Sequence, residues 1–367
     1  MKIALLSGAV KNAGDYLIVE RTQKLLEYLL PSCEIIIFNR NVSLEDHVEA
    51  ICTCDYVVFA GGPGYLPDMY PDRFPLVDHL DKLKPRFFAL GMGGYGDWGE
   101  VSNPIAFTPE SKILMDRIDA DGFGFGCRDA LTQKILKASG YSNVLMTGCP
   151  AWYDLDCLDN MKVSNPCNIR EIRHVAISDP ASELSCKTAK RLVEAVRRFI
   201  KPEEITFVYH RGRATNPDKF PMLAELQTWL RSNRVRIIGI PFSAEGFKIY
   251  DDCDLHIGFR VHAHIYSLSH RHASFLIEED ARGFGVNDVF SFPHCPSFAK
   301  MNLRKGGFWN RLIKSKNYPI EFDEFFDFVL KEIGNGYPGA VRSFEVMQAS
   351  FETMKKHIIK LEERLYY

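Results

Sequence analysis

Short apolar runs alternate with longer amphipathic stretches from the first residues onward. KIALLSG (2–8) is an unbroken apolar run of strand length, and AGDYLIVERTQKLLEYLL (13–30) places Leu17, Leu25, Leu26 and Leu29 near helical spacing. EIIIFN (34–39) predicts a second buried strand. SLEDHVEAICTC (43–54) predicts a capped helix, with Ser43 as N-cap and Asp46 three residues on. DYVVFAGGPG (55–64) predicts a third strand running into a glycine-rich turn. RFFALGMGG (86–94), GFGFGCRDA (122–130) and NVLMTGCP (143–150) predict three more strands. Continuous apolar strands separated by helices predict a mainly parallel sheet covered on both faces.

LDNMKVSNPCNIRE (158–171) breaks this rhythm with Pro, Asn and little periodicity, which places a domain boundary near 160–170. The alternation then restarts. HVAISDPA (174–181), EITFVYH (204–210), VRIIGI (235–240), DLHIGFR (254–260) and ASFLIEE (273–279) predict strands. CKTAKRLVEAVRRFI (186–200), FPMLAELQTWLRSN (220–233) and VHAHIYSLSH (261–270) predict the helices between them. A last amphipathic helix over 344–365 carries Phe351, Met354, Ile358 and Leu361 on one face, able to pack back on the first domain or to pair with another chain. The domains expected are therefore 1–165, 170–340 and a terminal segment 341–367.

Composition narrows the functional classes. Hydrophobic residues are 46% and charged residues 25% of the 367-residue chain, the balance of a protein with sizeable cores. Lys plus Arg is 45 against 47 for Asp plus Glu, which argues against a broad basic field for nucleic acid. MKIALLSGAV lacks the long apolar core and cleavage site of a secretory signal, and no run of apolar residues is long enough to span a bilayer, so a cytoplasmic location is expected. The 10 Cys are scattered without a paired C-x-x-C, which predicts free thiols and no metal site.

In parallel sheets ligands gather outside the carboxyl ends of the strands, so the residues there are the candidates for chemistry. After the first strand come Gly14 and Asp15, the latter a helix N-cap or a catalytic carboxylate. Gly61, Gly62 and Gly64 follow the third strand, either as a tight turn or as a loop whose N–H groups meet an anion. Arg128, beside Asp129, presents a planar fork to a carboxylate or phosphate unless Asp129 already occupies it. Gly258-Phe259-Arg260-Val261-His262 delivers Arg260 and His262 into a predicted helix start, where the helix dipole favours an anion and His262 can move a proton. His264 alternates with apolar residues and suits packing. Asp280 and Arg282 end a further strand, as a base and an anion clamp or as a solvated loop. Tyr65, Tyr95, Trp98 and Trp152 are candidates for stacking on a sugar, with core packing the commoner role of such residues.

Taken in order, Gly14-Asp15, Gly61-Gly62-Pro63-Gly64, Arg128-Asp129, Gly148-Cys149-Pro150-Ala151, Gly258-Phe259-Arg260-Val261-His262-Ala263 and Asp280-Ala281-Arg282-Gly283-Phe284 resemble the polysaccharide pyruvyl transferase family over roughly residues 5–290. The resemblance implies two Rossmann-like domains facing across a cleft, a GT-B-like α/β fold. It implies transfer of pyruvate from phosphoenolpyruvate to two hydroxyls of a sugar or lipid-linked oligosaccharide, with no metal or nucleotide. It places Arg128, Arg260, His262, Arg282 and Gly258 around the donor, and Gly14, Asp15, Gly61, Gly62 and Gly64 toward the acceptor in the first domain. His262 is then assigned to the leaving phosphate, and Asp15 or Asp280 to the acceptor's proton. The sequence departs from the family pattern at Pro63, where a glycine is more usual and a backbone donor is lost, and at Glu279 and Arg282, where Tyr and Lys are more usual. A nucleotide-sugar glycosyltransferase and a non-catalytic carbohydrate-binding relative share the same expected fold.

Overall fold

A computed structural model describes residues 1–94, 96, 104–212, 219–298, 319 and 321–365. By internal contacts the chain forms two units, one of Met1–Val10, Asp15–Leu158 and Val346–Tyr367, the other of Lys11–Gly14 and Asp159–Glu345.

The first unit is built on a six-stranded sheet in the order β2-β1-β3-β4-β5-β6, with β1 Lys2–Ser7, β2 Glu34–Asn39, β3 Tyr56–Tyr65, β4 Arg86–Gly94, β5 Phe125–Cys127 and β6 Val144–Met146. Every pairing is parallel. The central strands are buried on both faces, which is why their sequences are apolar without alternation. Helices α1 Ala13–Leu29, α2 Val48–Cys52, α3 Pro109–Ala120 and α4 Ala130–Ala138 connect them.

The second unit carries a five-stranded sheet in the order β11-β10-β7-β8-β9, again parallel throughout. Its strands are β7 Val175–Ser178, β8 Ile205–Tyr209, β9 Arg236–Gly239, β10 Leu255–Gly258 and β11 Ser274–Leu276. They alternate with α5 Cys186–Val196, α6 Pro221–Ser232, α7 Val261–Ser269 and α8 Ala281–Phe290. Among the described residues two further helices follow, α9 Glu321–Gly334 and α10 Pro338–Glu363. From Val346 onward α10 belongs to the first unit, where His357 stacks on Phe88 at 4.3 Å and the Leu361 carbonyl accepts from the Tyr56 hydroxyl. The fold is thus α/β, two Rossmann-like parallel-sheet domains.

Two local expectations are corrected. Gly61, Gly62 and Gly64 do not turn but continue β3, paired with β4 through Gly62–Met92 and Pro63–Gly93. Positive φ at Gly61 (40°) and Gly62 (71°) lets the strand twist there, and a register shift follows at Pro63–Tyr65. The segment after Ser43 begins as a 3-10 turn, Glu45–His47, before the short α2; Ser43 Oγ accepts only the Glu45 N–H, at 3.3 Å.

Candidate functional site

The strand order of the second unit reverses at β7, which has β8 on one side and β10 on the other. A crevice at that switch point is where an open parallel sheet receives its ligand. A pocket lies there. Arg260 and His262 come from the end of β10, His210 and Arg211 from the end of β8, and Asp280 and Arg282 from beyond β11. Asn12 and Glu279 also line it. Counted together with the open solvent at its mouth, the space among these side chains is about 430 Å³.

Arg260 is the N-cap residue of α7, with extended backbone, and its own N–H donates to Ser178 Oγ at 3.0 Å. Its guanidinium is forked onto Asp179, Nε to Oδ1 at 2.7 Å and Nη2 to Oδ2 at 2.6 Å. Burial works against the arginine's charge, but the Asp179 carboxylate outweighs it and holds the group more firmly protonated than usual. His262 sits one helical step on, at the open N-terminal turn of α7. A Cβ placed on Gly14 would fall 2.2 Å from His262 Nδ1, so the imidazole rests directly on glycine backbone. The segment Lys11–Gly14 is held in this unit by the Ala13 N–H on the His210 carbonyl (3.1 Å) and the Phe242 N–H on the Lys11 carbonyl (3.0 Å).

Asp280 caps α8 through the Arg282 N–H at 2.9 Å and is forked by the same residue's guanidinium, Nη2 to Oδ2 at 2.6 Å. Its neighbour Glu279 accepts from the Ala181 N–H (2.7 Å), the Ser182 N–H (2.9 Å) and Ser185 Oγ (2.8 Å). Burial nonetheless pushes the Glu279 carboxyl above its ordinary range, with Arg260 opposing. His210 is buried and bonded to the Tyr250 hydroxyl at 2.6 Å; burial, then the nearby charge of Arg260, keeps it neutral well below its ordinary titration. The pocket therefore combines cationic heads with one histidine at a helix N-terminus, a setting suited to an anion with more than one charged group.

The other sequence candidates lie elsewhere. Gly258 is a packing glycine: a Cβ there would meet Ser178 Oγ at 2.2 Å, so its absence lets β10 close on β7. Arg128, in the first unit, is buried, with Nε on Asp129 (3.0 Å) and Nη2 on the Gly94 carbonyl (2.9 Å). Asp15 lies inside the first turn of α1 rather than at its N-cap. The glycines of β3 turn carbonyls, not N–H groups, to a cation: Arg40 donates to Gly61 (3.0 Å) and Pro63 (3.1 Å). Burial lowers the Arg40 pKa to about 10, partly offset by Asp15. Tyr65 and Trp152 are core residues, 1% exposed each; Tyr95 and Trp98 lie outside the described residues. His264 is buried at 0% exposure, with Nδ1 on Ser274 Oγ.

The model of the family named polysaccharide pyruvyl transferase matches residues 12–280. No curated protein matches the chain in sequence. Among solved structures, the S. aureus MnaA–UDP complex superposes with a TM-score of 0.50 at 11% identity, covering 93% of each chain. A putative UDP-N-acetylglucosamine 2-epimerase from Listeria monocytogenes superposes with a TM-score of 0.50 at 10% identity, covering 94% of this chain and 93% of that one. At such identity the likeness is one of fold, GT-B-like. No helix among the described residues is long and apolar enough to cross a membrane.

Proposed function

This chain belongs to the polysaccharide pyruvyl transferase family, and on that premise we propose that it moves pyruvate from phosphoenolpyruvate onto two hydroxyls of a sugar, forming a cyclic ketal. The observation that carries the reading is the switch-point pocket, which gathers Arg211, Arg260, Arg282 and His262 at the carboxyl edge of one sheet. Phosphoenolpyruvate bears a carboxylate and a phosphate on one small frame, and separate cationic groups suit it.

The chemistry is addition to an enol phosphate, which reacts as an enol ether would. Protonation of the donor's methylene carbon leaves an oxocarbenium centre, which one sugar hydroxyl attacks as it gives up its proton. The C–O bond to phosphate then breaks, phosphate leaves with a proton, and the second hydroxyl closes the ring as it loses its own; of the two hydroxyl protons, one makes good that added to the methylene carbon and the other that carried off by phosphate. His262 donates the proton or hydrogen bond that helps phosphate depart, a role worth about 10²–10⁴-fold. Arg260 and Arg282 stabilise the charge that develops on it. Asp280 or Asp15 accepts the acceptor's proton. Arg128, with its fork held by Asp129, would act in donor binding only after releasing that contact. The first unit is assigned to the acceptor, a free sugar or a lipid-linked oligosaccharide of cell-surface polysaccharide. The chain's 10 cysteines form no disulfide among the described residues, which suits a cytoplasmic setting.

The rival donor is a nucleotide sugar; the S. aureus fold neighbour is a complex with UDP. A thermal-shift titration with phosphoenolpyruvate beside UDP, GDP and CMP separates the two. A ligand bound only by the native state at a hundred times its dissociation constant stabilises by about 2.7 kcal/mol. The expected result is a shift with phosphoenolpyruvate alone that Arg260→Ala abolishes. A shift with a nucleotide and none with phosphoenolpyruvate would overturn the donor.

A further inference from the structure

The fork of Arg260 is already spent before any ligand arrives. Nε and Nη2 both lie on Asp179, whose side chain is 4% exposed against 11% for Arg260. What Arg260 offers the pocket is its remaining end, Nη1, which has no hydrogen bond among the described residues and belongs to a side chain that lines the cavity. Asp179 is itself fixed from behind. It follows β7 directly, its N–H donates to the Val208 carbonyl (2.9 Å), and its Oδ1 also accepts the His210 N–H (3.1 Å). The backbone of Arg260 is pinned at the adjoining residue, Ser178, whose Oγ accepts the Arg260 N–H and bonds His256 Nε2, each at 3.0 Å. The missing side chain of Gly258 is what allows this approach.

We propose that Asp179 is a positioning residue for donor binding: it grips one edge of Arg260 so that the opposite end meets the anionic donor, and it keeps that grip when the donor binds. The proposal rests on the phosphoenolpyruvate reading above. A guanidinium held on one edge by a buried carboxylate loses little rotamer freedom on binding and reaches the ligand in one orientation. Without Asp179 the arginine would be free to lay its fork on the donor or to swing to Glu279, which lines the same pocket.

Two measurements test it. In ¹H–¹⁵N spectra of wild type, the Arg260 Nε–H should be visible and slow to exchange, and should stay so at saturating phosphoenolpyruvate; its loss on adding donor would overturn the proposal. The second is a double-mutant cycle on phosphoenolpyruvate affinity, read by calorimetry. Asp179→Asn keeps an acceptor for the His210 N–H and should weaken binding roughly 10- to 100-fold, by analogy with the loss of the hydrogen-bonded outer partner of a metal ligand. In the Arg260→Ala background the same change should cost almost nothing further. Additive losses would show that Asp179 acts through general stability, and would overturn the proposal while leaving the donor intact. A wild type that ignores phosphoenolpyruvate overturns the donor reading and this proposal together. The spectral test needs no variant, so a poorly folding Asp179→Asn does not blunt it.

Discussion

At the scale of single residues, His262 and Gly14 form the sharpest test of the site. An alanine methyl at Gly14 would lie 2.2 Å from His262 Nδ1, closer than real side chains come, so the ring must shift. Misplacement of a reacting group by about 1 Å can cost 10²-fold. Gly14→Ala should therefore cut turnover by at least about tenfold while moving the melting point by only a few degrees. His262→Ala should fold and lose most turnover; near-normal activity in it would remove His262 from the chemistry. Arg260, His262, Asp280 and Arg282 were readable in the sequence because each follows a predicted strand, and the structure brings all four to one pocket. Asp179, His210 and Arg211 follow β7 and β8 just as directly, in SDPA and YHR, but carry no glycine or spacing that sets them apart. The partner of an arginine fork is the least legible feature. Whether Arg128 faces a ligand or Asp129, and whether Arg260 is free or held, depends on register between strands far apart in sequence.

At the scale of elements, the start of α8 decides what Asp280 can do. Its carboxylate oxygens already accept from the backbone and guanidinium N–H groups of Arg282, so they are engaged as a helix cap before any acceptor arrives. Asp280→Asn retains the cap acceptor and should keep turnover within about tenfold of wild type. Asp280→Ala loses the cap, at about 1 kcal/mol, and should lower the melting point by a few degrees. A 10²-fold loss of turnover in the Asn variant, with an unchanged melting point, would instead make Asp280 the acceptor's base and release Asp15 from that role. The strands themselves were legible from uninterrupted apolar runs. The end of β3 was not, because Gly61–Gly64 has the composition of a turn and is extended only by pairing with the equally glycine-rich end of β4. Ser43 misled in the opposite way: a residue of good capping type precedes a segment too short and too tightly wound to use it.

At the scale of the whole molecule, the two-sheet α/β class was legible from the strand-to-helix rhythm, whereas the ionisation of its interior was not. Four histidines are buried, His210, His256, His264 and His357, at no more than 2% exposure. Burial lowers His264 to about 3 and His357 to about 4, and holds His210 and His256 well below the ordinary value of 6.5. Each folded value lies beneath its unfolded one, so the unfolded chain takes up protons first as pH falls. Their contribution is complete above about pH 6.5 and is lost as pH drops toward 4. His294 runs the other way: its hydrogen bond to Glu278 raises it, so its contribution is present below 6.5 and fades above. His272 is also lowered by burial, and one raised histidine cannot offset five lowered ones. At 1.36 kcal/mol per pKa unit, His357 alone accounts for roughly 3 kcal/mol of acid sensitivity, a large share of a typical 5–15 kcal/mol stability. The urea midpoint should therefore be nearly flat between pH 7 and 8 and fall steeply from 6.5 to 4. His357→Gln retains an N–H for the Ala89 carbonyl that His357 Nε2 contacts at 3.0 Å, but cannot take up a proton. It should be less stable than wild type at pH 7.5 yet show a visibly shallower decline below 6.5. An unchanged slope in that variant would move the acid sensitivity of the first unit from His357 to its carboxylates.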